Sequence, residues 1–255
     1  MARESKKASR SFNWRLVFGI LVLAVVCGST AMAAYKVRRY VITDPQFNLS
    51  RDRKDAITVQ GLVYASRWKV QRVFAADYGR SIFAIPLEER RRRLLAIDWI
   101  EDASVSRIWP NRVVIRIRER KPVAFVASRG AVLLIDAQGV LLDQPAHSQF
   151  SFPVLNGIRE DETDAARREC VRAFLDFQSD MGYLAKEISE VDAADPDNVR
   201  VVAQVEHRAV SLLMGDGNFA RRYQNFINHY PEIRKRSPEA KAFDLRLDDR
   251  ITVKE

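Results

Sequence analysis

The stretch ASVSRIWPNRVVIRI, residues 103–117, decides the first part of the fold. Residues 103–108 and 113–117 alternate or are rich in β-branched residues, and Trp109-Pro110-Asn111 separates them. This pattern predicts two β-strands joined by a turn. Three arginines are expected on the outer face of the second strand: Arg112, Arg116 and Arg118. The stretch therefore predicts one part of a small sheet.

Upstream residues predict the rest of this sheet and two helices that cover it. Ile57-Thr58-Val59 alternates like a strand and stops at Gly61. Ser66 is suited to cap one helix and Pro86 to open a second. Arg91 falls near the apolar stripe of the second helix, whose inward residues are expected to be Leu87, Leu94 and Leu95. The predicted order is β-α-α-β-β, with two helices on one face of the sheet.

Four successive arginines, Arg90–Arg93, form the densest basic run of the chain. Such a run could face an acidic partner or anionic lipid headgroups. It could equally be the solvated face of a helix. The sequence leaves both interpretations open.

Downstream of Pro122 the pattern changes to strands with two longer helices. A Gly-containing loop at 136–139 separates two short strand patterns and is typical of a hairpin. Strands are expected at 131–135, 140–142, 152–155, 199–205 and 209–214, and helices at 161–181 and 219–230. Residues 241–247 and 251–253 are expected to close the chain as a hairpin around Asp248-Asp249. This predicts a second, mixed domain that is mainly antiparallel β with flanking helices.

Residues 16–34 contain no charged side chain and precede both predicted domains. A helix of this length spans about 28 Å, close to the ~30 Å of a bilayer core. Trp14 and Tyr35 flank it, as aromatic residues do at membrane interfaces. Five basic residues against one acidic residue in 1–15 predict a cytoplasmic tail. We therefore expect a tail at 1–15, a transmembrane helix at 16–35 and a spacer at 36–55.

A cleaved signal peptide is the alternative interpretation of this segment. Residues 16–27 resemble the apolar core of a signal peptide, and Ala31-Met32-Ala33 fits a cleavage site. The mature chain would then begin at Ala34. The uncleaved anchor is favoured because the uncharged stretch continues past the usual length of that core.

The composition excludes several classes of protein. Hydrophobic residues make up 47% and charged residues 29%, with 19 glycines and prolines together, so the chain is not disordered, collagen-like or polytopic. The formal charge of +9 falls to +5 without residues 1–15, which weakens a nucleic-acid interpretation. With only Cys27 and Cys170, a disulfide framework or a four-thiolate metal site cannot form.

Catalytic motifs are missing from the sequence. His147, His207 and His229 are far apart and lack the spacing of metal ligands, and neither a nucleophile elbow nor a P-loop is present. Cys170 falls on the apolar stripe of the predicted helix 161–181 and is expected to be a core residue. We therefore predict no enzymatic activity, no catalytic residue, no metal site and no cofactor.

Taken in order, these segments resemble the bacterial cell-division family FtsQ/DivIB. The segments that carry the resemblance are 57–61, Trp99-Ile100, 103–110, 118–124, Ile135-Asp136 with Gly139, 152–155 with Gly157, and 243–246. The resemblance covers residues 14–253. It implies an α+β fold in which a single transmembrane helix precedes a POTRA domain at 56–122 and a β domain at 123–255.

The resemblance also implies a function. It implies a bitopic scaffold of the divisome that docks FtsB-like and FtsL-like bitopic proteins during septum formation. The protein would be an inner-membrane protein of type II, with its N-terminus in the cytoplasm and its bulk in the periplasm. The alternative is a POTRA-containing envelope factor for outer-membrane protein assembly or secretion. That alternative would require tandem POTRA repeats or amphipathic barrel strands.

The predicted C-terminal hairpin contains the candidate site. Phe243, Leu245 and Leu247 alternate with polar residues, so one face is expected to be buried and the final strand to lack a neighbour on its outer side. The resemblance implies that this region receives a segment of an FtsB-like partner by strand addition. The candidate contacts are Arg246, Leu247, Asp248, Asp249, Arg250, Ile251, Thr252 and Val253. The alternative is a sheet edge without a partner.

Overall fold

The computed structural model describes residues 14–128, 130–146 and 148–254. Most of the predicted basic tail, His147 and Glu255 lie outside the described residues. The α-helices are α1 (Trp14–Thr43), α2 (Arg67–Val73), α3 (Leu87–Leu95), α4 (Asp164–Met181) and α5 (Phe219–Arg236). The predicted order of an apolar helix, a β-α-α-β-β segment and a mixed β domain is confirmed.

The strands of the described residues form two sheets. They are β1 (Ile57–Gln60), β2 (Ile100–Ile108), β3 (Arg112–Glu119), β4 (Pro122–Ser128), β5 (Ala131–Asp136), β6 (Leu141–Leu142), β7 (Val154–Asn156), β8 (Ile188–Asp192), β9 (Val199–Val205), β10 (Arg208–Gly215), β11 (Ala242–Asp244) and β12 (Thr252–Lys254). The smaller sheet has the order β1-β3-β2, and the larger has the order β12-β11-β10-β9-β8-β7-β4-β5-β6. Strand β12 therefore lies at an edge of the larger sheet.

Contacts divide the chain into two compact units. The first comprises the chain up to Gln60 with Arg72–Arg90 and Val105–Ile115, and the second comprises Gly61–Gln71, Arg91–Ser104 and Arg116–Glu255.

Helix α1 continues well beyond the predicted end of the membrane span. Its segment Phe18–Thr43 is long and apolar enough to cross a membrane and is not buried by the rest of the chain. The prediction of an irregular spacer from Lys36 is wrong for residues 36–43, which are helical. They contain neither glycine nor proline, and the helix ends only where Pro45 disfavours a helical conformation at Asp44.

In the first unit, an ion pair lies inside the protein. Arg90 Nε and Nη2 donate to Asp77 Oδ2 and Oδ1 at 2.6 and 2.8 Å. Both residues are buried, and the hydrogen bonds to Asp77 raise the pKa of Arg90. Arg90 therefore faces neither an external acidic partner or lipid nor solvent, the two alternatives considered for the arginine run. No sequence pattern predicted this pair, because Asp77 belongs to a separate 3-10 turn, Ala75–Asp77.

Glu119, the last residue of β3, and Arg120 directly after it hold loops of the second unit. The Glu119 carboxylate accepts hydrogen bonds from the backbone N–H groups of Val63, Tyr64 and Ala65 at 2.8–3.0 Å. Arg120 Nη1 donates to the buried Asp136 carboxylate at 2.8 Å. Consecutive N–H groups around a carboxylate form an anion-binding loop. Glu119 thus holds the segment that leads into α2.

The larger sheet packs against α4 and α5. Phe174 and Phe177 of α4 and Phe226 of α5 are fully buried in one core with the strands. Thr163 caps α4, which begins three residues later than predicted. Helix α5 continues through Pro231 to Arg236, beyond the predicted end at residue 230. Strands β4 and β8 were not assigned from the sequence.

The structure predicts that the Asp77–Arg90 pair is critical to the first unit. Substitution Arg90→Met leaves the buried Asp77 carboxylate without its two hydrogen bonds, with only Arg80 Nη1 at 3.7 Å as a charged partner. It should lower the free energy of unfolding by up to about 3–5 kcal/mol. Thermal unfolding of the full chain in detergent would measure this. Arg92→Met is the matched control, because Arg92 is exposed on the same helix. Equal stability of the two variants would contradict the assignment.

Candidate functional site

The chain ends in an antiparallel hairpin at the edge of the larger sheet. Phe243 of β11 lies opposite Val253 of β12, and β11 pairs in parallel with β10. No strand of the described residues pairs with the outer side of β12. The predicted hairpin is thus present, with shorter strands and a longer loop, residues 245–251.

Backbone hydrogen bonds fix which groups face outward. The Ser211 N–H donates to the Lys241 carbonyl at 2.8 Å, and the Leu245 N–H donates to the Leu213 carbonyl at 2.9 Å. Backbone groups of alternate residues point to the same side of a strand. Those of Ala242 and Asp244 therefore face β12, where their partners are Lys254 and Thr252. It follows that the N–H and C=O of Val253 face away from β11.

The side chains of the hairpin divide between the core and the surface. Phe243 and Leu245 are buried, and Phe243 packs on Phe226 with ring centroids 5.0 Å apart. Val253 is 37% exposed and shares a face with Phe243, because directly opposed residues lie on the same side of a sheet. On the face of the sheet that packs against the core, the side chain nearest the β12 edge is therefore apolar and exposed to solvent.

The exposure of Leu247 differs from what the sequence pattern predicted. Strict alternation predicted it to be buried with Phe243 and Leu245, yet it is 55% exposed. Strand β11 ends at Asp244, so the period of two no longer applies at Leu247. The loop therefore presents a large apolar side chain to solvent.

Asp244 organises charged groups at the base of the hairpin. Its carboxylate accepts from Arg246 Nε at 3.0 Å and from Arg246 Nη2 at 2.9 Å, and Lys254 Nζ lies 3.7 Å away. The side-chain hydrogen bond to Arg246 is the main cause that holds the pKa of Asp244 below its ordinary value. Arg246, a predicted partner contact, thus has an intramolecular partner.

Arg222 of α5 ties the loop to the sheet. Its Nε donates to Asp248 Oδ1 at 2.9 Å, and its Nη1 donates to the Met214 carbonyl at 2.7 Å. The Arg222 side chain is only 10% exposed. Sequence reasoning missed Arg222 and Asp244, because the contacts of Arg222 join residues 8 and 26 positions away. For Asp244, the alternation of charged residues around it was the only sequence feature that indicated a charge pair.

A groove with a volume of about 350 Å³ lies between α5 and the loop. Its walls come from Asn225, His229, Ile233 and Arg236 of α5 and from loop residues 248–251. Asp249 and Arg250 form an exposed ion pair at 3.2 Å. The predicted contacts 246–253 therefore form one continuous surface beside an open groove.

Those residues screened for catalysis that the structure describes do not assemble into a site. His229 Nδ1 lies 2.8 Å from the Asn225 carbonyl oxygen within its own helix. Among the described residues, no group of three metal-binding side chains comes together. Cys170 is buried, and desolvation raises the pKa of its thiol to about 11, so its thiolate is scarce at neutral pH. The core role predicted for Cys170 is confirmed.

Comparisons with known proteins agree with the fold. The model of the POTRA domain, FtsQ-type, matches residues 54–120. The model of the FtsQ/DivIB C-terminal region matches residues 124–246. The cell division protein FtsQ of Koribacter versatilis is 34% identical and aligns with 98% of this chain and 72% of its own length. The chain belongs to the FtsQ/DivIB family.

The chain is also similar to a second FtsQ protein and to a solved DivIB structure. The FtsQ protein of Geotalea daltonii is 24% identical over 99% of this chain and 93% of its own length. A structure of the major extracytoplasmic domain of DivIB from Geobacillus stearothermophilus is 21% identical and covers 48% of this chain and 96% of its own, but its TM-score of 0.27 supports no argument. The FtsQ/DivIB C-terminal match ends at residue 246. Seven of the eight predicted contacts lie beyond it.

We expect Arg222 to be required for an ordered loop. Substitution Arg222→Gln removes the bonds to Asp248 and to the Met214 carbonyl and should cost about 1–3 kcal/mol of stability. Hydrogen exchange in residues 245–251 should become faster. Arg221→Gln is the control, because Arg221 is exposed one position earlier. Equal protection of the loop in both variants would refute this role.

Asp244 should make stability depend on pH. Its pKa is lowered in the folded protein, so ionised Asp244 stabilises the fold above its unfolded pKa of about 3.9. This contribution is lost as the pH falls through the lower folded pKa. Unfolding at several pH values should therefore show Asp244→Asn less stable than the wild type near neutrality, with the difference shrinking in acid.

Asp249→Asn is the control for this experiment. The pKa of Asp249 is also lowered, by Arg250, but both side chains of that pair are more than half exposed. Solvent screens such a pair, so its effect should be smaller at every pH. A difference between Asp244→Asn and wild type that persists unchanged in acid would contradict the assignment.

Proposed function

We propose that this FtsQ-family protein is a non-catalytic scaffold of the divisome that docks FtsB-like and FtsL-like partners through its terminal hairpin. The observation that carries the proposal is the outer side of β12, where the Val253 N–H and C=O face away from the sheet. Unpaired strand edges are used for recognition by β-augmentation, in which the partner adds a strand. Matches to two division-protein family models favour this function over outer-membrane assembly.

Backbone pairing would supply affinity, and side chains beside it would supply specificity. An added strand would pair with Val253 and place apolar residues next to its side chain, extending the core face. Leu247 offers a second apolar contact, since it is 55% exposed. The exposed Asp249–Arg250 pair and the groove beside α5 would select the charge of the partner segment. The remaining candidates, Arg246, Asp248, Ile251 and Thr252, would hold this surface in shape.

The candidate membrane helix makes modest affinity sufficient. One apolar helix near the N-terminus is suited to cross the membrane, and the basic tail favours a cytoplasmic N-terminus and a periplasmic bulk. Bitopic partners in the same membrane are confined near the hairpin, which raises their effective concentration. With this proposed topology, the docking surface would lie in the periplasm.

Substitution Val253→Pro is the most direct test of the edge. Proline removes the outward N–H, while the inward groups of Thr252 and Lys254 stay available to β11, and proline is tolerated on edge strands. We expect binding of the exported segment of the FtsB-like partner to the full chain in nanodiscs to be lost. Val253→Thr keeps both the N–H and β-branching and should bind normally. Ile251→Pro is less direct, since Ile251 precedes β12.

Two outcomes would contradict the proposal. Unchanged binding by Val253→Pro, with an unaltered circular dichroism spectrum, would remove the edge from the interaction. Depletion of the protein from cells should give filaments without septa. Normal division accompanied by defective outer-membrane proteins would instead favour the envelope-assembly alternative.

A further inference from the structure

Helix α1 is joined to the first unit without a flexible linker. It is continuous from the apolar segment to Thr43. Near its end, Ser81 Oγ donates to the Val41 carbonyl at 2.6 Å, and the ring centroid of Tyr40 lies 5.8 Å from that of Phe47. Residues that contact Tyr40 are therefore held at a fixed distance from the membrane that α1 is suited to cross.

Four aromatic residues meet at this junction, and we call them the juxtamembrane aromatic cluster: Tyr40, Phe47, Phe83 and Trp109. Phe47 is at the centre, with ring centroids 5.4 Å from Phe83 and 6.4 Å from Trp109. Phe47 is buried, whereas Tyr40, Phe83 and Trp109 are 54%, 41% and 69% exposed. Contiguous exposed rings of this kind mark an interaction surface.

The length of the helix puts Tyr40 of the cluster at the level of lipid headgroups. The uncharged stretch ends at Ala34, and Lys36 is the first charged residue after it. From Tyr35 to Tyr40 the helix rises about 7.5 Å. A bilayer with headgroups is about 40–45 Å thick around a ~30 Å core, so each headgroup layer is about 5–8 Å deep. Any tilt of α1 lowers Tyr40 further.

Positive charge surrounds the same level of the helix. Lys36, Arg38 and Arg39 are exposed, and none forms a salt bridge with a carboxylate of the described residues. Lys36, Arg39, Tyr40 and Thr43 line an open groove whose remaining lining residue is Asp44, so two basic side chains face one acidic side chain there. Basic residues next to a membrane helix attract anionic lipids, and Trp and Tyr prefer the interface.

We propose that the juxtamembrane aromatic cluster lies in the headgroup layer of the membrane that α1 crosses. Trp109 and Phe83 insert their rings among the lipids, and Lys36, Arg38 and Arg39 bind the phosphates of anionic phospholipid. This contact requires no protein partner and is independent of the terminal hairpin. It fixes the orientation of the first unit against the bilayer surface.

Tryptophan quenching in nanodiscs tests the proposal. The full chain is reconstituted at one copy per disc in lipids brominated close to the headgroup, with unbrominated discs as reference. The difference between wild type and Trp109→Phe isolates the emission of Trp109. We expect bromination to quench most of this emission in discs containing phosphatidylglycerol. Quenching should be weaker in pure phosphatidylcholine and in the variant Arg38→Gln/Arg39→Gln.

Distinct results would overturn the proposal. Emission of Trp109 that bromination leaves unchanged would place this ring in water. Equal quenching in neutral and anionic discs would contradict the proposed binding of anionic phospholipid. Near-ultraviolet circular dichroism checks that Trp109→Phe remains folded.

Discussion

The parallel pairing of β11 with β10 is the constraint on which the terminal site depends. Backbone bonds at Lys241 and Leu245 join β11 to β10, and burial of Phe243 against α5 holds it there. These bonds leave the backbone groups of Ala242 and Asp244 facing β12, and the register of β12 on β11 then turns the N–H and C=O of Val253 outward. Among the described residues, no strand pairs with that outer side of β12. The site is therefore a consequence of how the core closes.

Electrostatic contacts hold the loop and the base of the hairpin in place beside this edge. Arg222 holds the loop through Asp248, and Asp244 neutralises Arg246 at the base of the hairpin. Charges that are already paired within the chain need no new partner on binding. Because the loop is ordered beforehand, association costs less conformational entropy. The proposed strand addition would then use the outward backbone groups of Val253 and the apolar side chains beside them, with the exposed Asp249–Arg250 pair at the rim.

The first unit depends on other contacts than the terminal hairpin does. Helix α1 belongs to this unit and continues without a break to Thr43, and the Asp77–Arg90 pair is buried in the same unit. In the membrane contact proposed above, exposed rings such as Trp109 would orient the unit. The two proposed surfaces thus differ in origin, because one depends on the candidate membrane helix and the other on the sheet edge.

The sequence by itself determined the order of the elements, the apolar anchor and the presence of a terminal hairpin. These features arise from local periods of two or 3.6 residues and from the length of an uncharged run, which neighbouring residues define. The tertiary structure decided that Arg90 is buried, that Leu247 is exposed, that Arg222 holds the loop and that Val253 faces outward. Each of these depends on pairing between residues distant in the chain, which no local period encodes.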